Sequence, residues 1–164
     1  MLKITIVGAG IQMSVESVRN FFKAKGIEDP VFELEESSAT VDLAAKAIGV
    51  EPALIAKTLA IRLKEEDILI VTKGDARIDN KKFKGFFHTK AKMIDVEEVE
   101  QITGHPVGGV CPFGLKIDLK IYLDVSLKQF EYVYPAAGSK NSALKITPDD
   151  MLELTSAQWT DVCQ

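Results

Sequence analysis

A stretch rich in glycine and proline, residues 104–114, has the residue types needed to bind an oxygen-rich ligand. It contains four glycines and two prolines, a mixture that neither a helix nor a central strand tolerates. Glycine reaches positive φ and lets the backbone approach a ligand closely, whereas proline stiffens the chain. Between Gly108 and Pro112, the turn can present several backbone N–H groups to one ligand. The same composition also suits a structural loop between two strands.

Few other residues offer reactive groups. Lys57 lies among apolar residues near the start of a strand, although such a lysine can also extend its charge to water. Cys111 would be a nucleophile if its pKa were lowered, and otherwise it is a small buried filler. The histidines, His88 and His105, are typical of surface or loop positions and accompany no Gly-x-Ser-x-Gly. The sequence contains no cluster of metal-ligating side chains, so it predicts no metal site. A second permissive loop, residues 135–139, also offers backbone amides.

The composition is that of a globular protein with one domain. The chain has 164 residues, of which 46% are hydrophobic and 27% charged, enough to bury a core without disulfides. Its two cysteines are far apart and have no metal-ligand spacing, which favours a reducing cytoplasm. No apolar run reaches the length of a membrane span, and the first twelve residues lack the core of a signal peptide. We therefore expect a cytoplasmic protein that does not contact a membrane.

Positive charge is concentrated in one segment, although the net charge is −4. Residues 73–92 carry seven basic and two acidic side chains, a balance of +5, which leaves −9 for the remainder. Such a basic face fits a polyanionic partner that approaches from one side, and it also fits an ordinary solvated surface. The basic residues are Lys73, Arg77, Lys81, Lys82, Lys84, Lys90 and Lys92.

Strands and helices alternate irregularly along the chain. Ser14 is predicted to cap a helix over residues 15–25, and Thr40 to cap a helix over residues 41–48 that ends at Gly49. Further strands are predicted at 2–7, 31–34, 58–63, 68–72, 91–94, 120–124, 133–136 and 143–146, and further helices at 52–55, 78–86 (ending near Gly85), 96–103 and 148–154. Many connections suit hairpins, so the pattern predicts an α+β fold with a mixed, mainly antiparallel sheet.

Six short stretches follow one another in a characteristic order. They are Ser38-Ala39-Thr40, Ala56-Lys57-Thr58-Leu59, Lys73-Gly74-Asp75, Thr103-Gly104 with residues 107–114, Tyr122-Leu123-Asp124 and Ala137-Gly138-Ser139. In this order they resemble the YbaK / prolyl-tRNA synthetase-associated editing domain family. The resemblance covers the chain from Ser14 onward and matches nothing before it. We therefore divide the chain into an N-terminal extension, residues 1–13, and an editing domain, residues 14–164.

The resemblance implies a fold and an activity. Members look like α+β domains whose sheet curls into a partial barrel with surrounding helices. They hydrolyse in trans the ester of mischarged tRNA, typically tRNA for proline carrying the wrong amino acid. The terminal ribose hydroxyl of the substrate assists the attack of water, so the protein supplies position and oxyanion stabilisation. No cofactor is expected.

The resemblance also assigns residues to roles. The catalytic residues would be Lys57, Gly108, Gly109, Val110, Cys111 and Pro112. Lys57 would place a positive charge near the ester or the terminal phosphate, facing the glycine loop, and the amides of residues 109–111 would hold the ribose end or the oxyanion. Thr40, Gly138 and Ser139 would bind the substrate. Lys73, Arg77, Lys81, Lys82 and Lys84 would meet the phosphates of the acceptor stem.

Two departures from the family pattern bear on specificity. Cys111 stands where many members carry serine, and Thr58 follows the lysine where the alanine-removing branch has asparagine. The second departure argues against an alanine-specific deacylase and leaves cysteine, serine, threonine or another small residue open. A non-catalytic protein that binds tRNA or a synthetase, such as prolyl-tRNA synthetase, is the main alternative. A thiol enzyme that uses Cys111 is the third.

Overall fold

A computed structural model describes residues 14–164, which form an α+β fold of helices packed around a mixed sheet. The helices are α1 (residues 14–24), α2 (Val41–Ile48), α3 (Asn80–Phe87), α4 (Val96–Thr103) and α5 (Pro148–Thr155), with short 3-10 turns at Pro52–Leu54 and Val125–Gln129. The strands are β1 (Phe32–Glu33), β2 (Ile55–Arg62), β3 (Asp67–Lys73), β4 (Lys120–Asp124), β5 (Tyr134–Pro135), β6 (Ser142–Ala143) and β7 (Gln158–Thr160). In this part of the chain, no helix has the length and apolar character needed to cross a membrane.

The main sheet has five strands in the order β5-β2-β3-β4-β7. Only β2 and β3 pair antiparallel, whereas β2–β5, β3–β4 and β4–β7 are parallel. The expectation of a mainly antiparallel sheet is therefore wrong for this sheet. The expectation rested on many connections that suit hairpins. In this sheet only β2 and β3 form one, and the later strands return through long connections, which permit parallel pairing. The described strands form an open sheet with β5 and β7 at its edges, and they do not close into a barrel.

Two apolar clusters cover the two faces of β2. Ala56 and Ala60 belong to the larger one, the first core, together with buried residues of the glycine loop such as Phe113. Ile61, with Leu59 packed against it, belongs to the second core, which α3 and the C-terminal segment cover. This division follows from the strand period, which sends successive side chains to opposite faces.

Local signals placed several helix ends correctly. Thr40 Oγ1 accepts a hydrogen bond from the Leu43 amide at 3.2 Å, and α2 ends at Gly49 with φ 85°. Helix α3 differs from the prediction at both ends. Asp79 caps its N-terminus, and the helix continues through Gly85 to Phe87, with His88 as its C-cap. His88 itself adopts the left-handed conformation that was expected of the glycine.

Other elements differ in extent. The strand predicted at residues 91–94 is a single bridge between Met93 and Ile61. The strand β7 and the 3-10 turn Val125–Gln129 were not predicted. The strand predicted at residues 2–7 and the N-terminal extension lie outside the described residues.

Candidate active site

A cavity of about 450 Å³ lies beside β2, where one edge of that strand lacks a partner. The strand β5 pairs with this edge only at Ile55 and Ala56. Residues 92–94 pair with it only from Ala60 onward, where the Ala60 carbonyl accepts a hydrogen bond from Ile94 at 3.0 Å. Alternate residues of a strand direct their backbone groups to the same side. Thr58 therefore presents an N–H donor and a C=O acceptor to the cavity, and no described strand pairs with them.

The cavity walls are mainly small and apolar. Five alanines contribute to them, and none of the described lining residues is acidic. The polar lining residues are Ser38, Lys57, Thr58 and Ser142. Such walls suit an acyl group with a small, uncharged side chain better than one whose side chain is large or positively charged. The alanines are Ala39, Ala56, Ala60, Ala136 and Ala143.

The glycine loop closes one side of the cavity. Residues 106–109 form a turn in which the Gly109 amide donates to the Pro106 carbonyl at 2.9 Å, and Gly108 has φ 91°. This positive φ favours glycine at the third position of the turn. The Gly109 amide, predicted to face a ligand, is thus used within the loop. The amides of Val110 and Cys111 have no acceptor among the described residues, and Gly108 and Val110 line the cavity.

A second loop, residues 136–140, packs directly against the first. The Gly138 amide donates to the Gly109 carbonyl at 3.0 Å. A Cβ atom on Gly109 would lie 2.5 Å from the Ser139 nitrogen, so only glycine allows this approach. The Ser139 hydroxyl donates to Asn141 and lies 2.7 Å from the hydroxyl of Ser142. Gly138 and Ser139, predicted to bind substrate, therefore hold the two loops together and are not among the lining residues, whereas Ser142 is.

A buried histidine connects the glycine loop to α1 by hydrogen bonds. His105 is fully buried, with Nε2 2.7 Å from the Phe113 carbonyl and Nδ1 2.7 Å from the Ser14 hydroxyl. Because a carbonyl only accepts, Nε2 carries the proton and Nδ1 accepts from Ser14. Burial lowers the pKa of His105, which favours this neutral form. His105 thus lies in a loop, as expected, but is buried and not at the surface. Ser14, which was expected to cap α1, is instead part of that helix, with its hydroxyl directed to His105.

Cys111 points into the first core and not into the cavity. Its side chain is fully buried, and Sγ lies 3.7 Å from the Phe113 carbonyl. Burial raises the pKa of the Cys111 thiol to about 12, so the thiol stays protonated at physiological pH. A protonated, buried thiol is a poor nucleophile. This environment argues against a thiol enzyme and fits the role of a small filler, and the next residue, Pro112, is also buried.

Lys57 lines the cavity, but its ammonium group lies elsewhere. In β2 it shares a face with Leu59 and Ile61, and Nζ donates to the Ala76 carbonyl on the side of the second core. Burial lowers the pKa of Lys57, and the nearby Cys163 opposes that shift. The strand period sends Lys57 and Thr58 to opposite faces. The structure therefore does not bring the Lys57 ammonium to the glycine loop, which lies against the other face.

The basic segment forms a surface apart from the cavity. None of the five residues predicted to meet phosphates is a lining residue, and Thr40, exposed at the α2 cap, is not one either. Lys73 pairs with Asp75 at 3.5 Å. Lys82 pairs with Asp161 at 3.1 Å, which raises the pKa of Lys82. The exposed residues Arg77, Lys81 and Lys84 form no ion pair within residues 14–164.

The sequence reasoning missed Ser38 and Ser142 as cavity residues. Ser38 stood in one of the six stretches that carried the resemblance, two residues before the α2 cap, so its position was available as a signal. Ser142 had no such signal, because only the pairing of β6 with β1 and the approach of the second loop place it there.

Comparison with known proteins identifies relatives of this chain. The sequence profile of the aminoacyl-tRNA editing domain matches residues 35–154. The Bacillus subtilis protein YwhH, named as uncharacterized, is 51% identical over 154 residues, which cover 93% of this chain and 98% of YwhH. EbsC of Enterococcus faecalis, named as a candidate Cys-tRNA(Pro)/Cys-tRNA(Cys) deacylase, is 27% identical over 133 residues, 80% of this chain and 81% of EbsC. The crystal structure of a candidate trans-editing enzyme for prolyl tRNA synthetase has a TM-score of 0.83 at 30% identity, covering 92% of this chain and 97% of that one.

Proposed function

The chain belongs to the aminoacyl-tRNA editing domain family, and on that basis we propose that it hydrolyses the ester bond of a mischarged tRNA in trans. The observation that carries the proposal is the cavity beside the unpaired edge of β2, which the glycine loop closes. It combines space for a small acyl group with unused backbone donors. The names of EbsC and of the trans-editing enzyme favour tRNA for proline as the nucleic acid.

The proposed reaction needs no covalent intermediate with the protein. The acyl group enters the cavity, and the backbone groups of Thr58 align it. A water oxygen adds to the acyl carbon, and the unused amides of Val110 and Cys111 stabilise the negative oxygen that forms. The ester C–O bond then breaks, the ribose oxygen leaves with a proton, and the free amino acid is released. The neighbouring ribose hydroxyl of the substrate orients the water, so position supplies most of the rate.

The Cys111 side chain has no direct chemical part in this scheme. Its thiol is buried, with a pKa raised to about 12, and it faces the Phe113 carbonyl and His105. The residue shapes the loop that holds the Cys111 amide in place. A serine could occupy the same position, because it is similar in size and its hydroxyl could donate to the same carbonyl.

The basic segment is proposed to bind phosphates of the acceptor end. Arg77, Lys81 and Lys84 are exposed and on the same side of the sheet as the Lys57 ammonium, whose donor atom contacts Ala76. Lys57 would exchange that carbonyl for a phosphate when tRNA binds. Its backbone forms part of the cavity wall, so one residue would couple phosphate binding to the position of β2. Sequence-independent phosphate contacts of this kind position the substrate without selecting the acyl group.

The test is hydrolysis by the purified protein of tRNA for proline charged with cysteine, serine, threonine, alanine or proline. We expect release of at least one small non-cognate amino acid and no release of proline. Binding of these tRNAs without release of any amino acid would favour the non-catalytic binding protein instead. A variant that fills the cavity, Ala136→Phe, should abolish release and retain tRNA binding, because Ala136 lines the cavity and the basic segment does not.

A further inference from the structure

Two buried hydroxyl groups at the cavity have no hydrogen-bond partner among the described residues. They are Ser38 Oγ and Thr58 Oγ1. Both residues line the cavity, and Ser38 is only 7% exposed. The third hydroxyl residue of the lining, Ser142, is hydrogen-bonded to Ser139. Since most buried polar groups in proteins are hydrogen-bonded, two unpaired hydroxyls at one cavity indicate that a ligand supplies their hydrogen-bond partners.

The backbone at both positions is held firmly. The Ser38 amide donates to the Lys140 carbonyl at 2.6 Å, and Thr58 lies opposite Val71 in the antiparallel pairing of β2 with β3. The freedom that remains is rotation about the Cα–Cβ bond between staggered positions. Such a change of rotamer can bring both hydroxyls to a group placed in the cavity, without movement of the strand or of the segment before α2.

We propose that Ser38 and Thr58 determine specificity by hydrogen bonding a hydroxyl or thiol on a small acyl side chain. This inference rests on the proposed deacylase function. The other walls are mainly apolar, formed by alanine, valine, isoleucine and methionine side chains, so they can contact the carbon atoms of such a side chain but offer little to its polar end. No described lining residue is acidic, which disfavours a side chain with an ammonium group. An alkyl side chain of equal size would leave both hydroxyls unpaired in the complex, and that cost selects against it.

The test compares tRNA carrying serine with tRNA carrying 2-aminobutyrate, in which a methyl group replaces the hydroxyl. The wild-type protein should prefer the seryl substrate by at least about tenfold in kcat/KM. Ser38→Ala or Thr58→Val should each lower that preference by roughly threefold to tenfold, the effect of one lost hydrogen bond. The double variant should hydrolyse both substrates at similar rates, through loss of seryl activity alone. Cysteinyl tRNA should follow the seryl substrate with a smaller preference, because sulfur is a weaker hydrogen-bonding atom.

A matched control is Thr160→Val. Its hydroxyl is also buried without a described partner, but Thr160 lies in β7, away from the cavity. This change should leave the substrate preference unaltered, and Thr58→Ser should keep the wild-type preference because it keeps the hydroxyl. Equal hydrolysis of seryl and 2-aminobutyryl tRNA by the wild-type protein would overturn the inference and leave the deacylase function standing. Release from none of the substrates would overturn both.

Discussion

Replacing Gly109 by alanine tests the contact between the two loops that close the cavity. The added Cβ would lie 2.5 Å from the Ser139 nitrogen and 2.7 Å from the Gly138 carbonyl carbon. Ordinary contact begins at 3.4 Å, so one loop must move by about 0.9 Å. Both neighbours are backbone atoms, and no side-chain rotation can relieve the overlap. The hydrogen bond from the Gly138 amide to the Gly109 carbonyl should break as the loops separate.

The expected magnitude follows from these contacts. Overpacking costs about 1–3 kcal/mol, and the lost hydrogen bond adds about 1 kcal/mol, so the free energy of unfolding should fall by about 2–4 kcal/mol. In urea this corresponds to a midpoint lower by about 1–2 M. A displacement near 1 Å of the Val110 and Cys111 amides, which we propose stabilise the negative oxygen, should lower the deacylation rate by about a hundredfold. The rate loss should persist at temperatures where the variant is fully folded.

Two other glycines provide matched controls. Gly85 lies inside α3 with open space around it, so Gly85→Ala should raise the stability by about 0.5–1 kcal/mol. Gly49 has φ 85° and also has open space, so Gly49→Ala should show backbone strain alone, about 1–2 kcal/mol. Neither change should affect deacylation. If Gly109→Ala matched the wild type in both the urea midpoint and the rate, the close approach of the two loops would be refuted.

Three further predictions concern the remaining site residues. Lys57→Ala should lower the deacylation rate by at least about tenfold with the circular dichroism spectrum unchanged, since a charged hydrogen bond contributes about 1.5–3 kcal/mol. Lys57→Arg should recover part of the rate. Wild-type rates in both variants would remove Lys57 from the mechanism. Cys111→Ser should keep most of the activity, and a thousandfold loss or a trapped thioester would support a thiol enzyme. Alkylation of Cys111 in the folded protein should stay slow up to about pH 11, because the pKa of its thiol is raised to about 12. Lys81→Ala and Lys84→Ala should each flatten the dependence of log affinity for tRNA on log salt by about 0.7–0.9, whereas Lys82→Ala should change it less because Lys82 pairs with Asp161 at 3.1 Å; an unchanged slope in all three would mean that tRNA binds elsewhere.

Local sequence signals determined much of the secondary structure. The caps of α2 at Thr40 and Gly49 and the end of α4 at Gly104 are where the sequence predicts them, because these signals act over three or four residues. The bounds of β4, Lys120–Asp124, match the prediction as well. The mixture of glycine and proline in residues 104–114 correctly indicated an irregular loop, and the order of short stretches correctly indicated the family.

Strand partners and side-chain directions depended on the tertiary structure. The sheet is mostly parallel because β4, β5 and β7 return through long connections, whose path no local pattern encodes. The sequence predicts a strand that starts after Lys57, whereas β2 starts at Ile55 and includes it. The direction of the Lys57 side chain is therefore set by the register of β2, in which a shift of one residue would reverse every side chain. His105 and Cys111 became buried because the glycine loop packs against α1, a contact between residues far apart in the sequence.

The sequence alone therefore indicated some of the residues that could form the site, and the tertiary structure decided which of them face the cavity and added others, such as Ser142. Lys57, Gly108 and Val110 are among the residues that line the cavity. Gly109, Gly138 and Ser139 instead form the contact between the two loops. Ser38 and Thr58 belong to the stretches that carried the resemblance, but only folding shows that their hydroxyls are buried at the cavity without a described partner. The physical reason is that types and spacing act along the chain, whereas burial, hydrogen-bond pairing and free strand edges arise only when distant segments meet.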